Sequence, residues 1–312
     1  MTTDAGVAVA LVGPTASGKS ALAHTFALDS GGNLEILAVD AMTVYRGMDL
    51  GTAKPSLLER EEVPYHLVDL VEPHQEFTLA QYQRGAREAA SAVWRRGHAV
   101  LYVGGTGLYG RAVLDNFEIP PHFPDVRLEL EARALKDLGV LYSQLMELDP
   151  LAASRMEPTN ARRVVRALEV TLGSRRPFSS FGAGLGHYGR VRVVQVGLRC
   201  TLDELDQRIT QRFRNWMEQG FVREVAALAA TPEGLSRTAR QAVGYRELLR
   251  HVEERVDLEQ CVLEAIAQSR RLARRQRSWF QRDPRIEWFD DVITARARLR
   301  AVVNSPDGFV RD

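Results

Sequence analysis

Short apolar runs alternate with amphipathic stretches over the first hundred residues of the chain. Three runs, residues 7–12, 34–39 and 98–103, are apolar and each ends at a glycine or an aspartate, so they predict buried β-strands. Helical patterns over 19–28 and 79–95 predict a helix ahead of the second and third strands. This β-α-β-α-β alternation predicts a parallel, doubly wound sheet.

The rest of the chain divides at three prolines within residues 120–124. Helical patterns follow over 125–138, 142–146 and 160–172. The stretch 173–189, rich in glycine, serine and arginine, is typical of a loop, and the apolar run 191–198 returns to the core as a strand. The sequence therefore predicts a core in two parts, 1–117 and 191–312, separated by a helical insertion at 118–190.

The second part of the core is predicted to be mostly helical. Its predicted elements are a helix that begins near Asp203, helices over 247–253 and 258–281, and a short strand over 286–289. No internal repeat is present in the sequence.

A glycine-rich loop connects the first predicted strand to the first helix. Its residues match the P-loop pattern: Gly13, Pro14, Thr15, Ala16, Ser17, Gly18, Lys19 and Ser20. Backbone amides and the helix N-terminus attract an anion, Lys19 supplies a full positive charge, and the Ser20 hydroxyl can hold Mg²⁺. A polyphosphate satisfies all these groups, whether ATP or another diphosphate. The fold class is thus α/β, a P-loop-type doubly wound parallel sheet with a helical insertion domain.

Asp40 follows the second strand, at the sheet edge where doubly wound folds bind ligands. A carboxylate there can be the metal ligand of a kinase or a base. The third strand ends in the residues 103–106, Val-Gly-Gly-Thr, without an acidic side chain. The element with which P-loop ATPases hold Mg²⁺ is therefore missing, unless Asp40 itself serves as that element, and a motor or ATPase is disfavoured.

Composition narrows the functional class only slightly. Lys plus Arg (41) balances Asp plus Glu (40), so the net charge gives no indication of a polyanionic partner. The two cysteines, Cys200 and Cys261, exclude a disulfide framework and a cysteine-based zinc module. The N-terminal residues lack a basic region and a run long enough to span a bilayer, so a cytoplasmic protein with no membrane association is expected. His66 and His74 lack metal-ligand spacing and are predicted to be structural.

Long blocks of the sequence resemble one enzyme family. They are the P-loop at 13–20, the segment 39–55 with its Tyr-Arg-Gly-Met-Asp and Thr-Ala-Lys-Pro motifs, and the segment 103–109. The likeness continues through 162–170, 208–213, 241–246, 274–276 and 279–280, so it covers nearly the whole chain. The chain resembles the tRNA dimethylallyltransferases, the IPP transferase family that prenylates adenosine 37 of tRNA.

The resemblance implies that dimethylallyl diphosphate, not ATP, occupies the P-loop and that the target adenine is flipped out into the crevice. It implies transfer of the dimethylallyl group to N6 of adenosine 37, in tRNAs that read codons starting with U, with release of diphosphate. Asp40 would accept the N6 proton or hydrogen-bond the amine, Thr106 would hold the diphosphate side of the reacting centre, and Arg212 would neutralise the departing pyrophosphate. The implied cofactor is Mg²⁺ at Ser20, the implied partner is a tRNA anticodon stem-loop, and a monomer is expected.

The resemblance also implies a set of tRNA-binding residues in three segments and two single positions. They are Asp40, Ala41, Met42, Thr43, Thr106, Arg127, Arg162, Arg163, Val164, Val165, Arg166, Gln241, Ala242, Val243, Gly244, Tyr245 and Arg246. The family usually has Ser-X-Gln after the catalytic aspartate. Ala41, Met42 and Thr43 stand there in this chain, so that hydroxyl and amide contact to the tRNA is not carried over.

Two clusters of arginine are candidates for contact with the phosphate backbone of tRNA. The first comprises Arg162, Arg163, Arg166, Arg175 and Arg176, and the second comprises Arg270, Arg274 and Arg277 at helical spacing with Arg271 and Arg275 beside them. A solvated helix face is the alternative explanation for both clusters.

Three other functions remain open from the residues alone. A P-loop kinase acting on a small metabolite would need only the loop and Asp40. An isopentenyltransferase that accepts a free adenine nucleotide would not need the arginine-rich insertion. A non-catalytic RNA-binding protein with a vestigial loop would not need Lys19, Ser20, Asp40 and Arg212 together.

Overall fold

The computed structural model of the protein describes residues 6–182 and 184–305. They form two compact units, of which the first takes the described chain up to Asp115 and again from Arg190 onward. The second unit is Asn116–Gly189, where the sequence analysis placed an insertion at 118–190. The parts of the predicted domains at 1–5, 183 and 306–312 lie outside the described residues.

The strands and helices follow one another in an α/β order. They are β1 (Ala8–Val12), α1 (Lys19–Leu28), β2 (Leu34–Val39), α2 (Leu57–Glu62), β3 (Tyr65–His66), α3 (Leu79–Arg95), β4 (Ala99–Gly104), α4 (Gly107–Leu114), α5 (Pro124–Ala134), α6 (Leu138–Leu148), α7 (Pro150–Ala153), α8 (Ala161–Ser174), β5 (Val194–Leu198), α9 (Leu202–Gln219), α10 (Phe221–Ala229), α11 (Tyr245–Glu254), α12 (Leu258–Gln281), β6 (Ile286–Phe289) and α13 (Val292–Val303).

The strands form one parallel sheet in the order β3-β2-β4-β1-β5-β6. Both faces of this sheet are covered. In β1, Val9 and Leu11 pack into a core with α1 and α13, while Ala8, Ala10 and Val12 face the core formed with α3 and the helices α9 to α12. A parallel strand buried on both faces is a continuous apolar run, which is why the pattern of β1 was legible in the sequence. The predicted doubly wound α/β fold is confirmed.

Some predicted element boundaries were wrong. The pattern over 125–138 is not one helix, because α5 ends at Ala134 and the Asp137 carboxylate caps the next helix, α6. The helix predicted to start near Asp203 is instead capped by Thr201, whose hydroxyl accepts a hydrogen bond from the N–H of the third helical residue. In both cases a side-chain cap set the boundary.

The strand ends bring three predicted motifs to one edge of the sheet. β4 lies between β1 and β2, and Gly104 is level with Val12 on one side and Val39 on the other. A Cβ atom at Gly104 would lie 2.1 Å from the Val39 carbonyl oxygen, so only glycine allows the strands to pair this closely here. The P-loop after β1, Asp40 after β2 and Thr106 after β4 therefore meet at this edge.

His66 belongs to an ion cluster around Glu35, one residue into β2 and thus at the end of the strand far from Asp40. The buried Glu35 carboxylate lies 2.6 Å from His66 Nε2 and 2.7 Å from His98 Nδ1, and it accepts two hydrogen bonds from Arg96. Burial opposes its charge, but the hydrogen bonds from Arg96 and the two histidines outweigh this and lower the pKa of Glu35 to about 2. His66 thus has a structural role.

The second unit contains α5 to α8 around a small apolar core of its own. Leu141 and Leu145 of α6 pack there against Val164 and Leu168 of α8, and all four side chains are buried. Over residues 6–182 and 184–305, in either unit, no helix is both long and apolar enough to cross a bilayer.

Candidate active site

A cavity of about 480 Å³ opens at the carboxyl ends of β1, β2 and β4 in the first unit. Of the eight predicted P-loop residues, the ones on its wall are Thr15, Ala16, Gly18, Lys19 and Ser20. Gly13, Pro14 and Ser17 are buried behind them. Asp40, Met42, Thr43 and Arg212 also line the cavity, so the predicted diphosphate and acceptor residues share one space.

The P-loop turns tightly before α1 begins. Gly18 caps the helix with φ 93°, and Ala16 adopts φ 64°, which is uncommon for a residue with a side chain. Ser20 lies in the first helical turn and is exposed, so its hydroxyl is available to a ligand or a metal ion. The N-terminus of α1 therefore faces the cavity with its unpaired amides, as an anion site requires.

The Lys19 ammonium group donates a hydrogen bond to the Pro14 carbonyl oxygen of the loop over 3.0 Å. Burial lowers the pKa of Lys19 to about 8, the nearby Asp40 carboxylate partly opposes this, and the positive charge of Arg212 adds to the lowering. The negative charge of an anion in the cavity would oppose this lowering and raise the pKa of Lys19. Lys19 is thus largely protonated at neutral pH, and a bound diphosphate would extend its positive charge to higher pH.

Arg212 approaches the loop from α9. Its Nη1 donates a hydrogen bond to Thr15 Oγ1 over 3.0 Å, and its guanidinium carbon lies 4.6 Å above the ring of Trp216, one turn further along the helix. Burial lowers the pKa of Arg212 to about 10, which leaves it protonated at neutral pH. The aromatic face holds this cation without neutralising it.

Asp40 and Thr106 form a hydrogen-bonded pair across the cavity edge. The backbone N–H of Met42 donates to Asp40 Oδ1 over 2.8 Å, and Thr106 Oγ1 donates to Asp40 Oδ2 over 3.2 Å. Thr106 precedes the first residue of α4, yet its hydroxyl makes no capping bond to the helix. Its hydroxyl is committed to the carboxylate, which fixes the orientation of Asp40.

Lys54 belongs to the Thr-Ala-Lys-Pro motif, but its role was not predicted from the sequence. The Lys54 side chain is 1% exposed, and its ammonium donates to Asp49 Oδ1 (2.6 Å), Asp69 Oδ1 (2.7 Å) and the Tyr45 carbonyl oxygen (2.7 Å). These bonds tie the segment after β2, which forms a wall of the cavity, to the segment after β3. Only its place in the Thr-Ala-Lys-Pro motif pointed to it in the sequence.

Glu224 of α10 was also missed. Its carboxylate accepts hydrogen bonds from the backbone N–H groups of Asp49 (3.2 Å) and Leu50 (2.9 Å), and from the Tyr245 hydroxyl. It thus joins the segment after β2 to α11. No local pattern announces such a contact, because the partners are about 175 residues apart in the chain.

The predicted tRNA-binding residues of the first unit divide by exposure. Gln241 is exposed, and Ala41, Met42, Val243 and Arg246 are half-buried. The side chains that are buried are those of Thr43, Ala242 and Tyr245, and Gly244 is buried with them. The buried ones can support a tRNA surface but do not form one with their side chains.

The predicted tRNA-binding residues of the second unit need a correction. Val164 and Val165 are buried in the core of that unit, so their side chains cannot contact tRNA. Arg127 and Arg166 pair with the fully buried Glu169 carboxylate, at 3.2 and 2.8 Å. Arg127 also pairs with Glu131, and Arg166 donates to the carbonyl oxygens of Pro120 and Pro121.

These pairings leave the two exposed arginines at the start of α8, Arg162 and Arg163, as the solvated cations of that predicted set in the described chain. The second basic cluster, on α12, is partly neutralised: Asp206 lies 2.7 Å from Arg274 and 3.8 Å from Arg270. Arg271 and Arg275 on the same helix are exposed.

The chain is similar to a known family model, to a curated relative and to two solved structures. The family model described as IPP transferase matches residues 43–283. The tRNA dimethylallyltransferase of Salinispora arenicola is 45% identical over 304 residues, which is 96% of this chain and 87% of that protein. The full-length tRNA isopentenylpyrophosphate transferase of Bacillus halodurans superposes with a TM-score of 0.67 at 33% identity, over 95% of this chain and 96% of that one. A eukaryotic dimethylallyltransferase acting on tRNA gives a TM-score of 0.76 at 25% identity, over 97% of this chain and 79% of that chain.

Proposed function

The chain belongs to the IPP transferase family, and from this membership we propose how its cavity carries out the reaction. The protein is an enzyme, a prenyltransferase that moves the dimethylallyl group of dimethylallyl diphosphate to adenosine 37 of tRNA. The observation that carries the proposal for the site is the meeting of Lys19 and Arg212 with Asp40 in one cavity. We extend the proposal to tRNAs that read codons starting with U, on the resemblance alone.

The diphosphate lies against the N-terminus of α1, between Lys19 and Arg212. The negative charge on the leaving diphosphate grows as its bond to the prenyl carbon breaks, so these cations stabilise the transition state more than the bound substrate. Neither cation has a carboxylate partner among the described residues that would cancel its charge. This arrangement favours departure of the diphosphate.

The adenine amine reacts from the side of Asp40. The lone pair of N6 forms the new bond to C1 of the prenyl group, the C1–O bond breaks, and its electron pair leaves with the diphosphate. Asp40 accepts the proton that N6 loses, and the hydroxyl of Thr106 and the amide of Met42 hold the carboxylate in place. Base flipping brings N6 to this side, because the amine cannot reach the cavity from within a stacked helix.

Mg²⁺ fits the donor set at the start of α1. Ser20 is exposed on the cavity wall and offers one hydroxyl oxygen, while Mg²⁺ ordinarily takes its remaining ligands from substrate phosphates and water. When bound, the ion would neutralise charge on the diphosphate. Lys19, Arg212 and the α1 amides bind and orient the substrate beside it.

Contacts to tRNA are proposed for the exposed Gln241 and the half-buried Arg246 of the first unit and, separately, for Arg162 and Arg163 of the second unit. All four are polar or charged and at least partly accessible, as contacts to phosphate and sugar require. We propose an anticodon stem-loop as the RNA element and a monomeric enzyme.

Incubation of the protein with unmodified tRNA, Mg²⁺ and labelled dimethylallyl diphosphate is expected to place label on adenosine 37. Parallel reactions with AMP in place of tRNA, and with γ-labelled ATP and no tRNA, separate the two enzymatic alternatives. Label on AMP at a rate equal to that on tRNA would favour the free-nucleotide acceptor, and ATP turnover without tRNA would favour a kinase. Label on AMP with none on tRNA, or ATP turnover with no label on tRNA, would refute the proposal.

The KM for dimethylallyl diphosphate is expected to rise with pH above about 8. Burial lowers the pKa of Lys19 to about 8 in the unliganded site, so the side chain carries a positive charge below this pH and loses it above this pH. Because diphosphate binding requires the charge back, KM should rise about tenfold for each pH unit well above 8. Initial rates at pH values from about 6.5 to 9.5 measure this, with Lys19→Arg, which stays charged, as the control. A flat KM for the wild-type enzyme across this range would contradict it.

A further inference from the structure

Gln276 of α12 reaches the P-loop from a distant part of the chain. Its Oε1 accepts a hydrogen bond from the backbone N–H of Thr15 over 2.8 Å, between residues 261 positions apart. The side chain is half-buried and lines the cavity. Ala273 and Phe280, on either side of it along α12, are buried in the core, so the helix is fixed at this point.

The P-loop depends on such outside contacts for its shape. Within residues 13–18 of the described chain, the backbone bond that closes the turn is a long one, from Ser17 N to the Pro14 carbonyl oxygen at 3.4 Å. Arg208 reaches the carbonyl oxygens of Ala16 and Ser17 only at 3.4 and 3.5 Å. The bond from Thr15 to Gln276, at 2.8 Å, is shorter than these contacts.

Thr15 is held on two sides. Gln276 takes its backbone N–H, and Arg212 donates to its hydroxyl over 3.0 Å. The guanidinium of Arg212 has no other hydrogen-bond acceptor in the described chain, and its Nε is buried without a partner. Besides its stacking on Trp216, the position of Arg212 at the diphosphate site therefore depends on where Thr15 is held.

Gln276 also lies against the loop that carries Thr106. A Cβ atom added at Gly105 would lie 3.0 Å from Gln276 Nε2 and 3.2 Å from the Gly13 carbonyl oxygen. The glutamine amide thus occupies the gap between the P-loop and the end of β4. The next residue, Thr106, donates to Asp40, so one side chain lies between the diphosphate loop and the residues that face the adenine.

We propose that Gln276 is a positioning residue that fixes Thr15, and through it Arg212, at the distance from Asp40 that the transfer requires. This inference rests on the proposed function. The acceptor oxygen is the essential group, since the Thr15 N–H can only donate. A displacement of the Arg212 cation by about 1 Å or less would weaken its stabilisation of the leaving diphosphate.

The test compares Gln276→Met, which keeps the length but removes the oxygen, with Gln281→Met, an exposed position on the same helix. Gln276→Met is expected to weaken binding of inorganic pyrophosphate about tenfold by calorimetry, to lower kcat, and to leave the tRNA dissociation constant unchanged. Gln281→Met should change none of these. If the methionine variant does not fold, Gln276→Ala removes the same oxygen without adding bulk.

A double-mutant cycle with Arg212→Met separates positioning from other roles. If Gln276 acts through Thr15 and Arg212, Gln276→Met should have little further effect on pyrophosphate binding once Arg212 is replaced. Additive effects would overturn the inference, and so would a loss of tRNA binding with pyrophosphate binding intact. Pyrophosphate binding does not depend on prenyl transfer, so a wild-type protein that binds it but fails to prenylate tRNA would refute the proposed function alone.

Discussion

Asp40→Asn is expected to lower kcat for prenyl transfer by about 10² to 10⁴, the range that a positioned general base contributes. The asparagine oxygen can still accept the hydrogen bond from the Met42 N–H that now goes to Asp40 Oδ1 over 2.8 Å. The change therefore preserves the shape of the site and removes the negative charge and the proton acceptor. Single-turnover measurement with labelled dimethylallyl diphosphate isolates the chemical step.

The affinities for tRNA and for pyrophosphate should stay within a few-fold of wild type. Asp40 is proposed to contact the adenine amine and not the phosphates of either ligand. Glu218→Gln, an exposed position on α9, makes the same change in charge away from the cavity and should leave transfer unchanged. An Asp40→Asn enzyme with wild-type kcat would show that N6 loses its proton elsewhere.

The elements that carry the site were the most predictable part of the fold. β1, β2 and β4 are buried on both faces, so their sequences are unbroken apolar runs, and each leads into a loop with a distinct chemical signature. β3 was not predicted, because two residues, Tyr65 and His66, are too few to form a pattern. Its place at the edge of the sheet comes from pairing with β2, which no local signal encodes.

The functional residues divide in the same way. The P-loop and Asp40 could be predicted as site residues because their chemistry is local, within a strand, a turn and a helix start. Gln276, Lys54 and Glu224 act through partners that the fold brings from elsewhere, so their residue type alone did not reveal a role. The family resemblance identifies corresponding positions, but it does not show whether the side chains at those positions are exposed.

The residues of α8 for which the resemblance predicts tRNA contact differ in exposure. Val164 and Val165 were predicted to bind tRNA by position, yet helical geometry turns both into the core, while Arg162 and Arg163, two residues earlier, face solvent.

Charge compensation distinguishes the cations that hold the fold from those that we propose to serve the reaction. Lys54, Arg127 and Arg274 each pair with carboxylates in this structure. Lys19 and Arg212, in contrast, contact a carbonyl oxygen, a hydroxyl and an aromatic face among the described residues. Half-buried cations without a directly bonded carboxylate are costly to keep, so a site that retains two of them has reason to bind an anion.

Arg212→Met should therefore lower kcat/KM for dimethylallyl diphosphate by about 10² to 10³, as expected for removal of one preorganised donor to developing charge. Methionine fills a similar volume beside Trp216 and removes the charge and the bond to Thr15. Arg212→Lys keeps the charge but loses the planar fork that stacks on the indole, so an intermediate loss is expected. Steady-state rates over a range of dimethylallyl diphosphate concentrations, at saturating tRNA, measure both variants.

Arg214→Met is the matched control, since this arginine is exposed on the same helix, two residues away. Its KM for dimethylallyl diphosphate should equal that of wild type, whatever its effect on tRNA affinity. Arg212 is proposed to stabilise the leaving diphosphate, so its loss must appear in the rate of the chemical step as well as in substrate binding. If Arg212→Met raised KM but left the single-turnover rate unchanged, the guanidinium would bind substrate and transition state equally.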